Sequence, residues 1–150
     1  MDEIRLSVRG LVEFLLRGGN LDSGSGGNAP ERAAEGARIH RRLQKEAGES
    51  YRAEVFFSHE EDFEELRFRV EGRADGVFEE DGAVTVDEIK TVSRPLAALP
   101  PDGFEVHWAQ AKCYAHFLCV RDGLPAAAVR LTYCETESWD LKRLSRVFSA

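Results

Sequence analysis

Apolar residues in the first third of the chain recur at helical spacing. They form one stripe over residues 7–17, where Ser7 is a candidate amino-terminal cap. A second helix is predicted after Asn28, which can cap it, and extends to about Ala47. Between these helices, glycine and serine dominate residues 21–28 and predict a flexible loop.

The middle of the chain shows the two-residue alternation that is typical of strands. Three runs rich in valine, phenylalanine and alternating charges predict strands at 51–58, 66–79 and 83–91. The acidic residues 60–65 predict a solvated turn between the first two. Farther along, the pattern predicts a largely buried helix at 104–120, a strand at 126–133 and a polar helix at 138–147. This order predicts one α/β domain over residues 1–150, with a mixed sheet flanked by helices.

Length, composition and cysteine content narrow the class of protein. A chain of 150 residues with 43% hydrophobic and 31% charged residues suits one globular domain. No apolar run approaches the roughly 20 residues of a membrane span, and the amino end lacks the pattern of a secretory leader. Cys113, Cys119 and Cys134 form neither an even disulfide set nor a CxxC pair, which predicts buried thiols in a reducing compartment. We therefore expect a cytoplasmic protein that does not bind a membrane.

The formal net charge of −7 limits how this chain can bind nucleic acid. Binding to phosphates depends on lysine and arginine, so an acidic protein does not coat DNA by bulk electrostatics. Any contact with DNA would need a local basic patch, a bound metal or an attached partner.

A predicted hairpin concentrates charges in the middle of the chain. Asp81 and Gly82 are favoured residues at the centre of a tight turn between two strands. A symmetric turn there would place three pairs of residues opposite one another, with all six side chains on one face. The pairs are Val77 with Val86, Asp75 with Glu88, and Arg73 with Lys90.

Two successive pairs of like charges in this register require an explanation. Opposed residues have Cβ atoms roughly 5 Å apart, where like charges are destabilising. A divalent cation between Asp75 and Glu88 would convert their repulsion into coordination, while Lys90 would hold an anion or water. Ile89 would turn its side chain to the core, and its carbonyl could still reach a metal. The alternative is a solvated strand face with diagonal ion pairs.

Two helices add polar residues to otherwise apolar faces. His40 shares a stripe with Gly36, and a glycine inside a helix suggests close backbone approach to a site. His40 is therefore either a metal ligand or a hydrogen-bonded core residue. Gln110 and Tyr114 lie one turn apart on the apolar helix and need polar partners. Loop backbone or a bound phosphate would satisfy them.

Four segments, taken in order, resemble the motif set of the RecB-like PD-(D/E)XK nucleases. The segments are Glu35-Gly36-Ala37-Arg38-Ile39-His40, Gly72-Arg73-Ala74-Asp75-Gly76, Asp87-Glu88-Ile89-Lys90 and Gln110-Ala111-Lys112-Cys113-Tyr114. The resemblance covers about residues 7–133 and is strongest to nuclease domains joined to Rad3-type DNA helicases. One departure is Ala74, where the family name anticipates proline.

The resemblance implies a restriction-endonuclease-like fold and a nuclease that hydrolyses phosphodiester bonds in DNA. An exonuclease in repair, recombination or defence is the expected role, with a helicase domain or subunit as a further partner. The resemblance assigns Mg²⁺ or Mn²⁺ to four ligands, His40, Asp75, Glu88 and the Ile89 carbonyl. It implies that Lys90 positions or activates water, and that Gln110 and Tyr114 orient the DNA phosphate or Lys90. It implies backbone contacts to DNA for Arg38, Arg73 and Lys112.

Some relatives hold an iron–sulfur cluster with four cysteines, one of which precedes the histidine motif. That cysteine is absent here, so no cluster is expected. Two other functions remain open. One is a noncatalytic nucleic-acid-binding module with the same fold that serves a helicase partner, and the other is an interaction domain whose charges are surface ion pairs.

Overall fold

The computed structural model describes residues 2–16 and 29–149, which form six strands and three α-helices. The helices are α1 (Val8–Leu15), α2 (Ala29–Glu46) and α3 (Glu105–Asp122), and Leu96–Ala98 form a short 3-10 turn. The strands are β1 (Asp2–Ser7), β2 (Arg52–Phe63), β3 (Leu66–Glu80), β4 (Ala83–Val92), β5 (Ala126–Glu135) and β6 (Leu141–Ser149). The predicted α/β architecture, a mixed sheet flanked by helices, is confirmed.

The long strand β3 has three neighbours, and their arrangement determines the shape of the sheet. Strand β2 runs antiparallel along β3 from residue 66 to residue 77 and so occupies one edge. The other edge is divided, because β4 pairs antiparallel with residues 76–80 while β1 pairs parallel with residues 66–71. Strands β5 and β6 extend the sheet beyond β4. Residues 72–75 of β3 therefore have no partner among the described strands on this edge, because pairing with β4 ends at Gly76 and pairing with β1 ends at Glu71. We call this unpaired stretch the gap.

The helices cover both faces of the sheet. Helices α1 and α3 share the larger core with apolar residues of β3, β4 and β5, whereas α2 packs against the opposite face. On that opposite face, Ile39 and Leu43 contact Ile89 and Cys134. The predicted cap of α1 is confirmed, because the Ser7 hydroxyl accepts a hydrogen bond from the Gly10 amide at 2.8 Å.

Several predicted elements differ from the observed ones. Strand β1 was not predicted, because its polar pattern lacks an apolar run and its pairing with β3 is long-range. The predicted acidic turn is confirmed at residues 64–65 but is shorter than predicted, since β2 continues to Phe63 and ion pairs such as Arg67 with Asp62 stabilise the acidic end of the hairpin. The predicted loop at 21–28 and the Asn28 cap lie outside the described residues.

The predicted carboxy-terminal helix at 138–147 is wrong, because that segment contains strand β6. Residues 141–149 pair antiparallel with residues 126–134 of β5, and partly buried and exposed residues alternate over the first half of the strand. Pairing along the open edge of β5 outweighs the local helical pattern of these polar residues.

Two further predictions concern the compartment. All three cysteines are free thiols; Cys119 and Cys134 are buried and Cys113 is partly buried. Among the residues described, no helix combines the length and apolar character needed to cross a membrane.

Candidate active site

The hairpin register predicted from Asp81 and Gly82 is confirmed. Both turn residues have positive φ, 52° and 81°, as a tight hairpin turn requires, and Val77 pairs with Val86. The regular pairing continues to Gly76 and Asp87 and ends there. Asp75 and Glu88 are therefore the first residues at which the two strands part.

Asp75 bridges the point of divergence with its side chain. Its Oδ2 accepts a hydrogen bond from the Ile89 amide at 2.7 Å, so a carboxylate replaces the backbone carbonyl that a regular ladder would supply. The Asp75 carbonyl in turn accepts a hydrogen bond from Gln44 Nε2 at 2.9 Å, and this amide also donates to Glu54 at 3.0 Å. Glu54 has a φ of 53°, so β2 is distorted beside the same point. These contacts fix the Asp75 carboxylate in the gap.

Glu88 is buried close to Asp75 with few donors of its own. Only 2% of its surface is exposed, its Oε1 lies 3.4 Å from the Asp75 amide, and its Oε2 lies 3.7 Å from Lys90 Nζ. Burial and then the charge of Asp75 raise the pKa of Glu88 to about 8, although Lys90 opposes the shift. Two acidic side chains thus share a buried site in which the neutral form of Glu88 is favoured.

Helix α3, which packs on the face of the sheet that carries Glu88, holds Lys90 in place. Its Nζ donates a hydrogen bond to Gln110 Oε1 at 2.7 Å, which gives Gln110 a partner within the site. Tyr114, one turn after Gln110 on α3, packs over β3. A Cβ added to Gly72 would lie 2.5 Å from the Tyr114 hydroxyl. Burial and the charge of Glu88 raise the pKa of Tyr114. The sequence left loop backbone, a phosphate or Lys90 as possible partners of Gln110, and in the structure Gln110 contacts the ammonium of Lys90.

His40 reaches the site from the opposite face of the sheet. Its Nδ1 lies 3.3 Å from Asp75 Oδ1, so the histidine contacts the predicted acid. Gly36, one turn earlier on α2, allows close packing, since an added Cβ would be 3.4 Å from the Thr91 hydroxyl. Within the described residues, however, the ligating atoms of His40, Asp75 and Glu88 are not all within 4.8 Å of one another. The three predicted ligands are neighbours that meet at Asp75.

The three basic residues predicted to contact DNA lie on three different elements, β3, α2 and α3. The prediction that Arg73 faces Lys90 is wrong, because β3 and β4 have separated and Arg73 instead pairs with Phe56 of β2. Arg38 is exposed on α2. Lys112 lies over the Phe148 ring, with Nζ 4.7 Å from the ring centroid. The separation of β3 from β4 is not predicted by the local sequence. It removes Arg73 from the row of side chains that the hairpin register predicted on one face.

The sequence interpretation missed a second buried carboxylate, Asp87, on the other face of β4. Asp87 accepts two hydrogen bonds from Arg130, at 3.0 and 3.2 Å, and one from Thr132 at 2.8 Å. A fourth comes from the Tyr51 hydroxyl at 2.7 Å, and the Tyr51 ring lies where a Cβ of Gly76 would be. The sequence did contain a signal for Asp87. Strand side chains alternate, so the residue before Glu88 must point to the opposite face of the sheet, which helix α2 covers.

Comparisons with known proteins identify the fold. No protein family and no curated protein matches this chain. The solved structure described as the crystal structure of SSO0001 superposes with a TM-score of 0.64 at 19% sequence identity. The match covers 97% of this chain, which spans 66% of the length of that protein. The chain has an α/β restriction-endonuclease-like fold, with a six-stranded mixed sheet flanked by helices.

Proposed function

We propose that this chain is a metal-dependent deoxyribonuclease of the PD-(D/E)XK type that hydrolyses phosphodiester bonds in DNA. The observation that carries the proposal is the pair of carboxylates where β3 and β4 part, with Lys90 3.7 Å from Glu88. The three side chains belong to a fold that is restriction-endonuclease-like. The free thiols fit a reducing compartment such as the cytoplasm.

The donor set at the gap fits a hard divalent cation. Asp75 and Glu88 carry oxygen ligands, and burial and then the charge of Asp75 raise the pKa of Glu88, a cost that a bound cation would offset. The residues that would hold Mg²⁺ or Mn²⁺ are Asp75, Glu88 and the Ile89 carbonyl, with His40 beside Asp75. When bound, such an ion polarises a phosphoryl oxygen and lowers the pKa of its water.

The chain's own residues would orient the substrate and stabilise developing negative charge. Lys90 is an ammonium with three donors, one of which is taken by Gln110, so the others can reach a phosphate oxygen or the attacking water. Gln110 accepts from Lys90 through Oε1, which leaves its amide group to donate to Tyr114. This chain of contacts holds Lys90 next to the acids. Gln110 and Tyr114 are therefore proposed as positioning residues.

Cleavage of end-labelled single- and double-stranded DNA with Mg²⁺ or Mn²⁺ tests the proposal. We expect Asp75→Ala and Lys90→Ala to lower the rate by about 10²–10³, the usual cost of removing a group that stabilises the transition state. The matched control is Glu79→Gln, which changes an exposed carboxylate on the same hairpin and should leave the rate unchanged. Equal activity in the native chain and both site variants would refute the nuclease assignment.

One observation favours the second candidate, a noncatalytic DNA-binding module. His40, Asp75 and Glu88, all within the described part of the chain, do not bring three ligating atoms within 4.8 Å of one another. A binding module would retain DNA in gel-shift assays, show no cleavage with either metal, and lose no affinity in Asp75→Ala. The nuclease proposal requires cleavage that depends on Asp75.

A further inference from the structure

A second group of potential metal ligands lies away from the acids of β3 and β4, between strand β2 and helix α3. His59, Glu61 and His116 each offer one ligating atom, and these atoms all lie within 4.8 Å of one another. In the part of the chain that the structure describes, this trio of histidine, cysteine or acidic residues is the one that satisfies that limit. The group lies on the outer edge of the sheet, since β2 pairs with β3 alone.

The backbone that carries these side chains is well fixed. His59 and Glu61 are two residues apart on β2, so they share a face, and both belong to the ladder with β3, opposite Val70 and Phe68. His116 lies on α3 between the buried residues Ala115 and Phe117. Rigid elements on both sides reduce the entropy that a metal would have to overcome to assemble its ligands.

The orientation of His59 is also restricted. Its ring stacks on Phe117 with centroids 4.7 Å apart and meets the His116 ring edge-on at 5.4 Å. Its Nε2 lies 2.8 Å from Glu61 Oε1, and its side chain is only 12% exposed. Glu61 and His116 are exposed, so small rotations can bring their ligating atoms to the roughly 3–3.5 Å separations of a tetrahedral site.

We propose that His59, Glu61 and His116 bind a borderline transition-metal ion of the Zn²⁺ class, with solvent in the remaining position. Two imidazoles with one carboxylate suit zinc and its neighbours, whereas Mg²⁺ prefers an all-oxygen shell. The ion would join β2 to α3. Phe57, two residues before His59 on the same face, packs against Tyr114 with centroids 5.9 Å apart, so the bound metal would steady the part of α3 that carries Tyr114.

Calorimetric titration of Zn²⁺ into the untagged full chain tests this site. The comparison includes His116→Ala, Asp75→Ala and the control Glu65→Gln, which alters an exposed acid at the adjacent turn. We expect the site between β2 and α3 to bind Zn²⁺ with equal affinity in the native chain, Asp75→Ala and Glu65→Gln, and with an affinity at least tenfold lower in His116→Ala. His116 is exposed, so the variant should fold, which circular dichroism checks.

Imidazole nitrogen shifts give a second readout. In the native chain, one equivalent of Zn²⁺ should move the ring ¹⁵N resonances of His59 and His116 and leave those of His107 in place. The proposal is overturned if the native chain takes up no zinc, if His116→Ala loses less than tenfold in affinity, or if the resonances of His59 and His116 do not move.

Discussion

Asp87 and Glu88 are adjacent acids on β4, each 2% exposed, yet their surroundings are opposite. Asp87 faces the α2 side of the sheet and accepts four hydrogen bonds, two of them from Arg130. Glu88 faces the α3 side, where its contacts are the Asp75 amide at 3.4 Å and Lys90 at 3.7 Å. A buried carboxylate with all its partners supports the fold, whereas one placed beside another acid has a cost that a bound ligand can offset.

The same face holds a second ionisable group whose neutral form is favoured. Burial and then the charge of Lys90 lower the pKa of His107 to about 3, while burial and Asp75 raise that of Glu88 to about 8. His107 Nδ1 lies 2.9 Å from the Tyr133 hydroxyl, and the oxygen of that hydroxyl accepts a hydrogen bond from the Phe104 amide at 3.1 Å. Burial therefore excludes water from this face of the site, where electrostatic interactions are stronger than at the exposed surface.

Removing the charge of Asp87 should have the largest effect on stability. Asp87→Asn leaves Arg130, whose side chain is 18% exposed, without its anion, and should lower the free energy of unfolding by about 3–5 kcal/mol. Urea denaturation of the variant and the native chain measures the difference. Glu79→Gln, an exposed acid of the same hairpin, should stay within about 0.5 kcal/mol of the native chain. A loss below about 1 kcal/mol for Asp87→Asn would remove the distinction between the two acids.

The pH dependence of stability should reveal His107. Its folded pKa of about 3 lies below its unfolded value of about 6.5, so acidification protonates the unfolded chain first and destabilises the fold. This contribution is complete above pH ~6.5 and is lost progressively down to pH ~3. Between pH 6.5 and 5, His107→Gln should reduce the fall in unfolding free energy by up to about 2 kcal/mol. Denaturation at several pH values measures this, and parallel curves would contradict the assignment.

The support that Gln110 gives Lys90 should have a smaller effect on catalysis. Gln110→Ala removes the 2.7 Å contact and should lower kcat about tenfold, or about 1.4 kcal/mol. Glu105→Gln, at the exposed start of the same helix, should leave kcat unchanged. Steady-state cleavage of labelled DNA gives kcat and KM separately. An effect confined to KM would show that Gln110 acts in substrate binding rather than through Lys90.

Neutralising Glu88 should have the smallest effect on stability, with the opposite sign to that of Asp87→Asn. Glu88→Gln keeps the shape and removes the cost of burying an acid that is ionised in the unfolded chain, so the metal-free chain should gain up to about 1 kcal/mol. Thermal unfolding in the presence of a chelator measures it. A loss comparable with that of Asp87→Asn would show that Glu88 is a structural acid.

Local chemistry predicted the hairpin, whereas the gap depends on distant segments. Asp81 and Gly82 both adopt the positive φ of a tight turn, which sets the β3–β4 register. After Gly76 pairing with β4 stops, and farther along the same edge β3 pairs with β1, some 60 residues away in sequence. Arg73 was misplaced for that reason. Likewise β6 is a strand because β5 offers an open edge, which no local pattern encodes.

Binding of Mn²⁺ at the gap decides whether Asp75 and Glu88 form a metal site. The titration uses His116→Ala as the background, so that the ligands between β2 and α3 cannot contribute, and compares it with His116→Ala combined with Asp75→Asn. We predict one Mn²⁺ per chain in the background variant and at least a tenfold loss of affinity when Asp75→Asn is added. Unchanged Mn²⁺ uptake in the double variant would contradict the assignment of Asp75 and Glu88 as a metal site.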